Sequence, residues 1–191
     1  MSALPTLHGA SPAHVRAFVD GNLLKRLLLV LVGSWVIALS ARISVPMWPV
    51  PMTMQTAAVL LVAALGGRRL GVETVLAYLA QGAAGLPMFA GGAGLAYMAG
   101  TTGGYLAGFL VAAFVVGHLA DRGWNARILT AVASILLGHL AIFVFGVAWL
   151  QTFIGWSAAF VNGVTPFLPG LVLKTGLVVA VIALMNRTRR T

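Results

Sequence analysis

Twelve basic and three acidic side chains carry the permanent charge of this 191-residue chain, and one basic residue stands where a connector cannot be. Lys174 lies inside Pro166-Phe-Leu-Pro-Gly-Leu-Val-Leu-Lys-Thr-Gly-Leu-Val-Val-Ala-Val-Ile-Ala-Leu-Met185. A charge at bilayer depth costs roughly 2.5–3.5 kcal/mol on insertion scales and is by default a functional group. The carboxylates are Asp20, Glu73 and Asp121, each at the end of an apolar run beside arginine or in the N-terminal segment. None can neutralise Lys174, so an anionic ligand is the simplest partner, with snorkelling of the ammonium to the outer interface as the rival reading. His139, alone in an apolar run, reads as a hydrogen-bonded packing residue rather than a proton relay. With no cysteine, disulfides, zinc–thiolate sites and cysteine nucleophiles are excluded. No Ser-His-Asp set falls on one side of the predicted topology, which argues against a membrane hydrolase or acyltransferase. Gly91-Gly92-x-Gly94 lacks the Lys-Ser/Thr of a phosphate-binding loop, so the chain carries no ATPase motif.

The elements that must position Lys174 are apolar helices. The chain is 60% hydrophobic and 8% charged, with a mean hydropathy of +1.00, against about 25% charged residues in a soluble domain. Apolar runs predict an all-α integral membrane protein with six helices, over 23–41, 53–65, 70–84, 102–120, 126–149 and 169–185. Residues 1–22 are expected as a cytoplasmic N-terminal segment, and 23–191 as one six-helix membrane domain. The second and third runs are short for a span of ~20 residues.

Arg16, Lys25, Arg26, Arg68, Arg69, Arg122, Arg127, Arg187, Arg189 and Arg190 all fall on one side of that topology, and Arg42 alone on the other. The positive-inside rule then places both termini in the cytoplasm. A cleaved signal peptide ending near Ala38-Leu-Ser40 would exceed the usual ~15–30 residues and leave an odd number of helices. The net charge of +9 is spread between apolar runs rather than gathered in a stripe, so nucleic-acid binding is not expected.

The cytoplasmic connections are short and basic, whereas the outer ones are long and apolar. Ile43-Ser-Val-Pro-Met-Trp-Pro-Val-Pro-Met-Thr53 has three prolines within six residues, which impose an extended path. The connection over 85–104 has seven glycines and no charge. A solvated linker would be polar, so this segment must pack, either as a binding lid or as a re-entrant plug. Trp48, Trp149 and Trp156 fall on the outer side, where an interfacial aromatic belt accounts for such residues equally well. Gly104, Gly108 and Ala112 recur every four residues, marking a close helix contact.

Several segments in order, Val50-Pro-Met-Thr-Met-Gln-Thr56, Leu65-Gly-Gly-Arg-Arg-Leu-Gly71, Gly82-Ala-Ala-Gly-Leu-Pro-Met-Phe-Ala-Gly-Gly92, Gly100-Thr-Thr-Gly-Gly-Tyr-Leu-Ala-Gly-Phe109 and Pro166-Phe-Leu-Pro-Gly170 with Lys174, resemble the BioY family. That family is the biotin-specific substrate-binding (S) component of energy-coupling-factor (ECF) transporters. The resemblance implies an ECF S-component fold in a bacterial cytoplasmic membrane, surrounded by lipid. It implies a biotin site near the outer surface, covered by the loop between the first two helices and other outer loops. It also implies coupling to a transmembrane T component and two ATPases, or a homo-oligomer in members that act without that module. The ligand would be biotin, with no cofactor and no enzymatic activity.

Biotin combines a carboxylate, a ureido ring and an apolar thiophane and tail, which calls for an apolar pocket with a few placed polar groups. Lys174 is then the expected contact to an anionic or accepting group. Gln55, Tyr97, Thr102, Tyr105 and Asn162 are the candidate hydrogen-bonding residues, and Trp48, Met88 and Phe89 the candidate apolar walls. The chain departs from the family pattern at three places. Leu171 stands where the family commonly has aspartate three residues before the lysine. Thr101 stands where it has proline. Ser34-x-x-x-Ala38 is the nearest match to the alanine-spaced motif that docks the T component. An S component for another vitamin, or a ligand-free membrane subunit, are the alternative readings.

Overall fold

The computed structural model describes residues 22–187. Arg16, Asp20, Arg189, Arg190 and all but the last residue of the predicted N-terminal segment lie outside it. Helix α1, Leu23–Ser40, begins at Asn22, whose side chain accepts from the Lys25 N–H at 3.1 Å and so satisfies one of the free donors of a helix start. Its apolar residues are largely exposed, Leu27, Leu31, Val32, Trp35 and Leu39 among them, as lipid-facing side chains would be. Ser34 and Ala38 are instead buried, and Ser34 accepts from Gln81 at 2.8 Å. The nearest match to a docking motif thus faces into the molecule.

The second and third predicted helices are the two arms of α2, Gln55–Ala83. At Gly67 the backbone takes φ 74 and ψ −175, a region essentially closed to residues with a Cβ. The chain reverses there. Gln55 and Tyr78 share a hydrogen bond although 23 residues apart, a separation that a straight helix would stretch to about 34 Å. The arms, 55–66 and 68–83, therefore run antiparallel with Arg68 and Arg69 at their tip. That geometry accounts for why each apolar run read short.

Helix α3, Gly94–Met98, is a single turn within the long apolar connection. Helices α4, Gly103–Asp121, and α5, Ile128–Ile154, form the centre of the bundle. The small-residue face of α4 packs on α5 within the chain: a Cβ on Gly108 would lie 2.8 Å from the Ile142 Cα. Helix α6, Trp156–Gly163, and a 3-10 turn over Thr165–Phe167 lead to α7, Leu168–Arg187. One departure from the all-α expectation is local. Ser44–Val45 (β1) and Met52–Thr53 (β2) pair antiparallel, Ser44 opposite Thr53, so the proline-rich segment is a tied loop. The residues after Gly155 form a further helix rather than a plain connection. Leu23–Ser40, Gly103–Asp121, Ile128–Ile154 and the stretch Trp156–Arg187 are long and apolar enough to cross a membrane.

The two ends of the bundle differ. At one end Arg26 pairs with Glu73, which Arg69 also approaches at 3.4 Å. The Arg68 N–H donates to Asp121 at 3.2 Å, and Asn125 donates to the Ala64 carbonyl at 2.7 Å. The opposite end gathers the β1–β2 loop, the connection around α3, and α6.

Candidate functional site

The loop-rich end holds a narrow cavity, with about 50 Å³ of room for the centre of a water-sized sphere. Its roof is held by polar cross-ties between segments that have no regular ladder to join them. Thr101 donates to the Pro49 carbonyl at 2.8 Å. Trp149 Nε1 donates to the Gly100 carbonyl at 2.8 Å. Arg42 donates to the Pro87 carbonyl. Each tie gives a side-chain partner to a backbone carbonyl outside any regular ladder.

The walls are aromatic. Phe89 stacks on Tyr97, ring centroids 5.1 Å apart, and meets Tyr78 edge-on at 5.5 Å. Phe89 is wedged against the second arm of α2 at Gly82, where a Cβ would overlap its ring. Tyr105 and Phe143 both contact Phe167 at 6.2 Å, and the Tyr105 hydroxyl donates to the Gly163 carbonyl at 2.9 Å. Tyr105 thereby binds the start of α4 to the end of α6.

Polar groups are few. Gln55 opens α2, donating to the Tyr78 hydroxyl and accepting from Thr53 at 3.1 Å. Lys174 projects from α7 about 9 Å below its start at ~1.5 Å per residue. It is only 6% exposed, and the described carboxylates, Glu73 and Asp121, are engaged at the far end. Leu171, one turn before it, presents an apolar side chain to the same cavity.

Of the residues expected from sequence, Lys174, Gln55, Phe89, Tyr97, Thr102 and Tyr105 line this cavity together. Three do not. Trp48 is 78% exposed on the outside of the β1–β2 loop. Met88 is fully buried in the core behind Phe89. Asn162 donates to the Ala158 carbonyl at 2.9 Å, because α6 is a helix and offers that acceptor one turn back. Conversely, Thr56, His139, Phe143 and Phe167 line the cavity without having been singled out as ligand contacts. His139 in an apolar helix was the available signal, and its rotation about α5 was not legible from a sequence apolar on every face.

The BioY family model matches residues 11–191. The chain belongs to the BioY family. A "Probable biotin transporter BioY" of Pyrococcus horikoshii is 39% identical over 145 residues, covering 75% of this chain and 85% of that protein. The "Biotin transporter BioY2" of Lactococcus lactis subsp. cremoris is 35% identical over 174 residues, covering 86% and 93%. Among solved structures, the S-component for biotin from an ECF-type ABC transporter, a crystal structure at 2.1 Å, superposes with a TM-score of 0.77. It is 25% identical, over 88% of this chain and 92% of that one. The BioY-family chain is thus similar to these proteins over 75% to 88% of its length.

Proposed function

We propose that this BioY-family protein binds biotin at the loop-rich end and serves as the substrate-specific component of an ECF-type biotin uptake system. The observation that carries this reading is the aromatic cavity whose lining, among the described residues, holds one ammonium, Lys174, and no carboxylate. An apolar body with an acceptor or anionic group fits it, and biotin offers both. The named relatives and the solved S-component support the choice of biotin over another vitamin. The role is binding and transport rather than catalysis.

In this reading residues 23–191 form one membrane domain that crosses the bilayer six times, the two arms of α2 counting as two crossings. The arginine-rich end faces the cytoplasm, with both termini, and the cavity faces outward. This orientation is supported by the charge asymmetry. The cell membrane would be the bacterial inner membrane. Energised uptake would need a transmembrane T component and an ATPase pair, or self-association where these are absent. Among the described residues, the exposed apolar side of α1 is a surface that lipid or such a partner can cover.

Titration of the purified, delipidated protein with biotin, thiamine, riboflavin and pantothenate, read by tryptophan fluorescence, tests the reading. Trp149, tied to Gly100 in the roof, is the expected reporter. Saturable quenching or enhancement by biotin alone is expected; a tight response to another vitamin with none to biotin would refute it.

A further inference from the structure

His139 projects from α5 into the cavity and is 3% exposed. Its Nδ1 lies 3.1 Å from the Ile135 carbonyl. A carbonyl oxygen only accepts, so the neutral ring carries its proton on Nδ1 and leaves Nε2 as a bare acceptor. Nε2 is buried with no hydrogen-bond partner, and so is Thr56 Oγ1, on the first arm of α2. Both residues line the same cavity. Buried polar atoms are seldom left unpaired, because each forfeits its bonds to water.

The position of the ring is built by packing rather than by chance. Immediately before it, Gly138 receives the side chains of Leu60 and Val116, which a Cβ there would overlap. One turn later Ile142 lies against Gly108 of α4. These contacts fix the rotation of α5 that turns His139 into the cavity. The cavity therefore makes two opposite demands. Lys174 carries only donors, whereas His139 Nε2 can only accept.

We infer that His139 is a specificity-determining residue that selects the N–H-bearing end of the ligand. This rests on the biotin reading above and deepens it. An ionised carboxylate has no donor and is repelled by a bare Nε2. In biotin the N–H donors are those of the ureido ring. Nε2 accepts one of them, and the Thr56 hydroxyl, free to rotate, bonds the ureido carbonyl or the second N–H. The ring of the vitamin is thereby set against α5 and the first arm of α2.

The test is a cycle of protein and ligand changes, read as dissociation constants of purified protein. His139→Leu is expected to weaken biotin by about ten-fold or more, the usual cost of stranding buried polar groups. His139→Gln, which keeps an acceptor, should recover most of that loss. Biotin methylated on its ureido nitrogens should bind the wild type poorly, yet lose little more in His139→Leu, since the two changes remove one shared bond. The inference is overturned if folded His139→Leu binds biotin like the wild type. It is equally overturned if the Gln variant is no better than Leu, or if methylation costs the same in both backgrounds. Should His139→Leu fail to fold, nitrogen NMR of the wild-type imidazole decides: Nε2 should shift on biotin addition, and an unmoved resonance contradicts the bond. A wild type that binds no biotin overturns the underlying reading, which is a separate outcome from a biotin-binding protein indifferent to His139.

Discussion

The cations at the two ends of this bundle are placed by opposite rules. At the arginine-rich end, Arg26 has Glu73 across the α1–α2 contact, and Asp121 receives the backbone N–H of Arg68 at the hairpin tip. Charges there are matched within the chain and hold helices together. At the loop-rich end Lys174 is set more deeply in an apolar helix, but the described residues lining its cavity include no carboxylate, and Leu171 occupies the turn before it. A charge matched within the chain is a structural device; a buried one left unmatched awaits a partner from outside. The comparison also explains why backbone irregularity collects at one end. Short tight turns suffice where helices need only be joined, whereas an enclosed site needs loops that cross-tie, as Thr101 does to Pro49.

The contrast can be broken in four ways. Lys174→Met should lower biotin affinity by about 100-fold, the scale of a lost charge-assisted bond, and leave thermal stability intact or raised, because the chain loses an unmatched charge. Unchanged affinity would erase the difference between the two ends. Gly67→Ala should do the reverse. It forces a Cβ into the backbone region that Gly67 holds, costing about 1–3 kcal/mol of stability, while biotin affinity of the folded fraction stays near wild type. Thermal melting in detergent beside a binding isotherm separates the two quantities. Thr101→Ala should accelerate biotin release by about five-fold, from one hydrogen bond of ~1 kcal/mol, with little change in melting. A release rate equal to wild type would show that the Pro49 tie does not hold the roof. Glu73→Gln should give the smallest effect, a slight and salt-dependent fall in melting temperature, since an ion pair still partly open to solvent contributes little, and no change in binding. A large loss of binding would mean that the ends are coupled through α2.

Much of this architecture is already in the order of residues. Apolar runs mark the helices, because hydrocarbon admits few charges, and the arginines between them mark the end of the bundle at which they gather. Lys174 is legible for the same reason, as a charge inside such a run. Arg68 and Arg69 mark the join between the two short runs, and the structure adds that Gly67 makes the reversal, because its backbone angles are essentially closed to other residues. The apolar connection over 85–104 is legible as packed, though not how.

What the tertiary structure alone decided is which side of each element meets the cavity. Helix α5 is apolar on every face, so nothing in its periodicity says that His139 points inward; the contacts at Gly138 and Gly108 set that rotation. Met88 and Phe89 are neighbours in sequence, yet only Phe89 reaches the cavity, because its ring seats over Gly82. Trp48 turns outward at the loop apex, and Asn162 is taken by the carbonyl of its own helix. Composition determined the solvent of this chain and the end at which its unmatched charge lies. Close packing between segments far apart in sequence determined which polar atoms face that charge across the cavity, since short-range contact geometry has no signature in a uniformly apolar sequence.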